Sequence, residues 1–245
     1  MTEHSQSQLF SNQQIAQAID HALLHPTMQD SEIIAGCQLA AELKLRSVCV
    51  KPYAIPLAAA QLRGTAVAVG TVIGFPHGSQ PSEIKAAEAD WACRFGAVEL
   101  DMVVNVGRVI QGDWAFVRQD IDGVLQVARQ HGALLKVIFE TDFVTADADK
   151  QRLCELCVEL QVDFTKTSTG FGFRKFGAGY DYVGATEADI RLMVAACGSN
   201  VQVKASGGIR NRADAVKYLA LGCTRLGTSA SAVILKDTGN DQQSY

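Results

Sequence analysis

Apolar residues along this chain follow two alternating rhythms. Short runs rich in β-branched and apolar residues recur at 19–24 (IDHALL), 47–52 (SVCVKP), 67–75 (VAVGTVIGF), 97–105 (AVELDMVVN), 134–140 (LLKVIFE), 162–168 (VDFTKTS), 201–208 (VQVKASGG) and 224–230 (TRLGTSA), and they predict eight strands. Between them, stretches with helical spacing or helix-favouring composition lie at 30–43, 81–96, 114–132, 148–160, 186–198 and 211–222. Asp30, Ser82 and Asn211 are the expected opening caps, and Gly96, Gly132, Gly198 and Gly222 the expected stops. Strand and helix in alternation imply parallel pairing through right-handed crossovers, and eight such repeats in 245 residues have the size of a (β/α)8 TIM barrel of the α/β class. A doubly wound open sheet competes with it. No strand leads into GxGxxG or GxxxxGK[ST], however, and GFGFRKFG at 170–177 has the wrong spacing for a nucleotide loop. Without a Pro/Ser-rich linker or a break in composition, the expectation is one domain over 1–245 with polar tails at both ends.

Composition narrows the function classes. Apolar content of 48% offsets chain entropy and argues against disorder. A balance of 22 basic against 26 acidic side chains, net −4, argues against a general nucleic-acid binder, although a local anion site remains compatible. No run of about 18 apolar residues exists to cross a membrane, and residues 1–12 are polar, so a soluble cytoplasmic protein is expected. The seven cysteines are scattered and odd in number, which suits a reducing compartment. Cys154 and Cys157 form a CxxC inside a helical stretch with Leu153, Leu156 and Leu160; lacking a second CxxC or a nearby histidine, they are expected to be a buried pair. His4, His21, His25, His77 and His131 are dispersed, so no metal is expected.

In a barrel, reactive groups belong at the C-terminal strand ends, and polar residues inside apolar strands are the ones to examine because burying them unpaired is costly. Three stand out: Asp101 in AVELDMVVN, Lys166 beside the hydroxyls of Thr165, Thr167, Ser168 and Thr169, and Lys204 just before a diglycine. Taken singly, each could be a solvated or paired strand-end charge. Aimed together at one mouth, two lysines disfavour each other's protonation, so one amine can stay neutral, nucleophilic and able to form a Schiff base, while the carboxylate handles protons. Gly207 and Gly208 after one strand, and Gly227, Thr228 and Ser229 ending the next, fall where barrels bind phosphate through backbone N–H groups. A small phosphorylated substrate follows, unless these glycines only shape turns.

At these residues the sequence resembles the deoxyribose-phosphate aldolase family. The resemblance runs from IDHALLHPT to LGTSA and includes VCVKPYAIPLA, VGTVIGFPHG, ELDMVVNVG, LLKVIFE, DFTKTSTGFG and VKASGGIR, in order and each at its expected strand. It implies a lyase, a class I aldolase that reversibly cleaves 2-deoxy-D-ribose 5-phosphate to D-glyceraldehyde 3-phosphate and acetaldehyde in deoxyribose catabolism. No cofactor would be needed beyond a covalent imine on Lys166. Lys204 then resembles the lysine that lowers the pKa of Lys166, and Asp101 the proton-transfer carboxylate. Asp20 and Lys136 complete a buried charge network with them or form an ordinary interior ion pair. Cys49 is a wall of the substrate end, and Thr169, Gly170, Gly207, Gly208, Gly227 and Ser229 are the expected phosphate and substrate contacts.

The sequence departs from the family in three places. Ala22 stands where the family often has threonine, and Phe171 stands where some relatives place a lysine for the phosphate. The loop 173–186 is longer than usual and carries Arg174, Lys175, Tyr180 and Tyr182; it is expected to border the phosphate site, with Arg174 or Lys175 supplying the missing charge, or to form a surface or subunit contact. Tyr245, ending a polar tail, is a candidate proton donor if the tail folds over the mouth. Competing readings are another Schiff-base sugar-phosphate aldolase or transaldolase-like enzyme, a phosphosugar isomerase, or a non-catalytic sugar-phosphate-binding barrel. Assembly into a homo-oligomer is compatible with the sequence.

Overall fold

All eight expected strands form in the computed structural model of the protein, which describes residues 10–236. They are β1 (Ile19–Leu23), β2 (Ser47–Val50), β3 (Ala68–Ile73), β4 (Glu99–Val103), β5 (Leu134–Ile138), β6 (Phe164–Lys166), β9 (Gln202–Ser206) and β10 (Arg225–Thr228). Every neighbouring pair is parallel, and the ring closes in the order β1-β10-β9-β6-β5-β4-β3-β2. The two remaining strands, β7 (Arg174–Phe176) and β8 (Gly179–Asp181), make a separate antiparallel hairpin in the connection after β6.

Strand alternation decides which residues enter the lumen. Leu100 and Met102 of β4, Leu135 and Val137 of β5, Val203 and Ala205 of β9, and Leu226 of β10 belong to the core between sheet and helices. Their neighbours Glu99, Asp101, Lys136, Lys204 and Arg225 therefore face the opposite side, into the barrel. The register sets them at nearly one level: Asp101 pairs with Lys136, Lys166 with Lys204, and Lys204 with Arg225.

The helices in chain order are α1 (Asn12–Ala16), α2 (Asp30–Glu42), α3 (Ile55–Gln61), α4 (Ser82–Arg94), α5 (Val106–Ile110), α6 (Trp114–His131), α7 (Asp147–Leu160), α8 (Glu187–Cys197), α9 (Arg212–Ala220) and α10 (Ser231–Lys236). The six longest, apart from small differences at their ends, are the six expected. The others run seven residues or fewer, too short for a helical period to declare itself. Of the expected caps, Asn211 accepts from the N–H of Asp214 at 2.8 Å. Asp30 and Ser82 are instead first helical residues. Gln29 precedes Asp30, its N–H bonded to Glu32, while Ser82 donates its hydroxyl to Asp120 at 2.7 Å. Gly132 ends α6 with a left-handed φ of 66°.

One buried lysine outside the lumen ties these parts together. Lys85 of α4, fully buried, donates to the carbonyl of Val103 at 3.0 Å and to Asp120 of α6 at 2.6 Å. It thereby holds the end of β4, two residues beyond Asp101. Lys85→Met leaves the buried Asp120 carboxylate with Ser82 alone and is expected to lower stability by about 3–5 kcal/mol in a denaturant melt.

Candidate active site

The barrel's lumen holds a compact charge network built from residues of six strands. Asp101 is its centre: Lys166 and Lys204 both donate to its Oδ2, at 2.8 and 2.7 Å, and Lys136 lies 2.9 Å from its Oδ1. Asp20 takes Lys204 at 2.5 Å, Lys136 at 2.8 Å, the hydroxyl of Ser47 at 2.7 Å, and Arg225. Glu99 completes the ring, 2.7 Å from Lys136 and held by both terminal nitrogens of Arg225 at 2.9 Å. All seven charged side chains are buried. The structure thus favours the network over an isolated Asp20–Lys136 pair. Ser47, Glu99 and Arg225 were not singled out from the sequence. Glu99 had a signal, since it shares strand parity with Asp101.

The protonation pattern follows from burial and neighbours. Burial alone would raise Asp101, but Lys136, Lys166 and Lys204 hold it far below the usual carboxylate range. Burial would likewise depress Lys136, yet Asp101, Asp20 and Glu99 hold its pKa well above normal. Lys166 goes the other way. Burial lowers its pKa, Asp101 opposes this, and Lys204 adds to the lowering. The expectation that a crowding ammonium is the chief cause is corrected in this respect: desolvation leads, and Lys204 reinforces it. Charge counting agrees, because four cations (Lys136, Lys166, Lys204, Arg225) face three carboxylates (Asp20, Glu99, Asp101), and releasing one proton from Lys166 balances the set.

Next to this network lies a cavity of about 290 Å³ whose lining includes all six expected phosphate contacts, Thr169, Gly170, Gly207, Gly208, Gly227 and Ser229. Gly207 and Gly208 have φ of 94° and 76°, left-handed backbone that glycine adopts without steric cost. At Gly227, a Cβ would stand 2.6 Å from the Ser206 hydroxyl and 3.1 Å from the Lys204 chain, so bulk is excluded where cavity and network meet. The Thr169 hydroxyl is engaged within the protein, donating to Glu140 and accepting the Phe171 N–H at 2.9 Å. Its contribution to the cavity is therefore shape. Cys49 does not line the cavity; it packs with Leu24 and Val72, and burial pushes its thiol up to about 11, away from nucleophilic use.

The expectation for Arg174 and Lys175 is corrected. Neither lines the cavity. The Arg174 guanidinium bonds the carbonyls of Thr141 and Asp142 at 2.6 and 3.2 Å and pairs with the Asp142 carboxylate at 3.3 Å, while Lys175 lies exposed on the hairpin. The cation that does line the cavity is Arg210, the last residue of VKASGGIR and one not singled out from the sequence. Tyr245 lies outside the described residues. Cys154 and Cys157 are buried free thiols, and among the described residues no cluster of three His, Cys, Asp or Glu side chains could hold a metal ion.

A parallel barrel that buries two lysines on one aspartate beside a glycine-walled cavity defines a class: a carbon–carbon lyase of the class I aldolase type. The model of the DeoC/LacD family of aldolases matches residues 14–223, and the chain belongs to that family. It is 43% identical over 221 residues to the deoxyribose-phosphate aldolase of Rhodopirellula baltica, covering 90% of this chain and 88% of that protein. It is 44% identical over 230 residues to the same enzyme of Carboxydothermus hydrogenoformans, covering 93% and 96%. A solved structure described as the unique tetrameric structure of deoxyribose phosphate aldolase from Aeropyrum pernix superposes over 97% of both chains with a TM-score of 0.85 at 26% identity. No helix among the described residues is long and apolar enough to cross a membrane.

Proposed function

We propose that the enzyme cleaves 2-deoxy-D-ribose 5-phosphate reversibly to D-glyceraldehyde 3-phosphate and acetaldehyde through an imine on Lys166. One observation carries this reading: Lys166 and Lys204 share a single oxygen of Asp101, a buried trio that does not itself line the glycine-walled cavity but adjoins it where Gly227 of the wall abuts the Lys204 chain. The neutral amine adds to the C1 aldehyde of the open-chain sugar, and loss of water leaves a protonated imine. Removal of the C3 hydroxyl proton then breaks the C2–C3 bond, its electron pair passing into the iminium to give an enamine and release the phosphorylated aldehyde. Protonation of the enamine carbon and hydrolysis return acetaldehyde and Lys166. A carboxylate held as strongly ionised as Asp101 is a poor proton store, so its part is to orient a relay water and pass the proton on.

The 5-phosphate sits over Gly207 and Gly208, with Arg210 as its cation. The imine supplies the electron sink, so the scheme uses no dissociable cofactor. Seven free thiols fit a reducing, cytoplasmic setting. Homo-oligomer formation is part of the reading, supported by the tetrameric description of the Aeropyrum pernix relative. The test is to incubate the protein with acetaldehyde, reduce with borohydride and weigh it. One ethyl-sized adduct mapped to Lys166 is expected; no gain in mass, or an adduct elsewhere, removes the proposal.

A further inference from the structure

The scheme above gives the β7–β8 hairpin no part, yet the hairpin delivers one side chain to the cavity. The segment that follows its return strand is anchored by Asp142, whose carboxylate accepts the N–H groups of Val183 and Gly184 at 3.3 and 3.1 Å and faces Arg174 of the outgoing strand. So anchored, Tyr182 turns inward and lines the cavity with Gly170, Gly207 and Arg210. Its hydroxyl is closed off from bulk solvent and has no hydrogen-bond partner within the protein. It presses on the glycine loop: a Cβ at Gly207 would overlap it, and one at Gly184 would lie 2.6 Å away. A buried hydroxyl without a partner is costly, and its position among the phosphate loops points to an acceptor that arrives with the ligand.

We propose that Tyr182 is a phosphate-binding residue: its hydroxyl donates a hydrogen bond to a phosphoryl oxygen of the sugar phosphate held over Gly207 and Gly208, and the hairpin is the strap that carries it there. This rests on the reading of the cavity as a phosphate site. Burial, with Asp142 and Glu140 close by, raises the phenol above its usual pKa, so it remains a donor throughout the neutral range. The hairpin thus brings a hydrogen-bond donor to a cavity in which the neighbouring Phe171 side chain offers none.

Tyr182→Phe removes only the hydroxyl. Its KM for 2-deoxyribose 5-phosphate is expected to rise about 10- to 100-fold, the equilibrium factor of a hydrogen bond to a charged group, with kcat little changed. Competitive inhibition by inorganic phosphate should weaken by a similar factor, turnover of unphosphorylated 2-deoxyribose should be unaffected, and the ligand-free melting temperature should not fall. A variant that keeps wild-type KM and phosphate inhibition overturns the role of Tyr182, as does an equal rise in KM for both sugars. A wild-type enzyme that neither prefers the phosphorylated sugar nor is inhibited by phosphate overturns the phosphate reading itself, and this proposal with it.

Discussion

Lys166→Met is expected to lower kcat for the cleavage by at least about 10,000-fold while leaving the fold intact or slightly more stable. The first half follows from chemistry, because neither Lys136 nor Lys204 can stand in. Lys136 is ringed by three carboxylates that hold its proton, and Lys204 is fixed between Asp20 and Asp101. The second half follows from charge. The network balances only with Lys166 uncharged, and burial disfavours the charged form of Lys166, so an isosteric apolar side chain keeps that balance and leaves Asp101 with two lysines. Steady-state kinetics and a urea melt on the same preparation separate the two effects. Lys166→Arg should be equally inactive, since a guanidinium keeps its proton.

Lys204→Met is the second large effect, and it acts through pH. Lys204 lowers the pKa of Lys166, and it competes for the same Asp101 oxygen. Without it, Lys166 becomes a principal partner of Asp101, its pKa rises, and a smaller fraction of the amine is neutral at any given pH. The acid limb of kcat/KM therefore moves to higher pH, and activity at neutral pH falls by about 100- to 1,000-fold. Raising the pH should restore much of the activity. The variant is expected to fold, because a protonated Lys166 leaves three cations against three carboxylates. A uniform loss across the pH range would show that Lys204 acts on the reacting atoms rather than on the protonation of Lys166.

The sequence carried most of the barrel because its strands are short apolar runs separated by long amphipathic stretches. Asp101, Lys166 and Lys204 were legible because each interrupts such a run with a charge, and the register then sets Lys166 beside Lys204 on adjacent strands. Arg225 was obscured by its place at the very start of TRLGT, where a charge reads as a surface residue, although Leu226 beside it is core and fixes Arg225 on the lumen side. The short helices α1, α3, α5 and α10 and the three-residue strands β7 and β8 give too few positions for a period to emerge. Arg174 and Lys175 fit the charge argument by composition, but the fold directs Arg174 to Asp142; of the loop expected to border the phosphate site it is Tyr182 that lines the cavity, and only three-dimensional proximity adds Arg210.

The imine chemistry depends on a Lys166 amine whose pKa burial and Lys204 lower from the ordinary lysine value. Nitrogen-15 NMR of lysine-labelled protein, with the Lys166 signal assigned by its absence in Lys166→Met, measures this without reference to turnover. A titration midpoint below the ordinary lysine range is expected, moving upward in Lys204→Met. A Lys166 ammonium that stays protonated up to the usual lysine value of about 10.4 would contradict it.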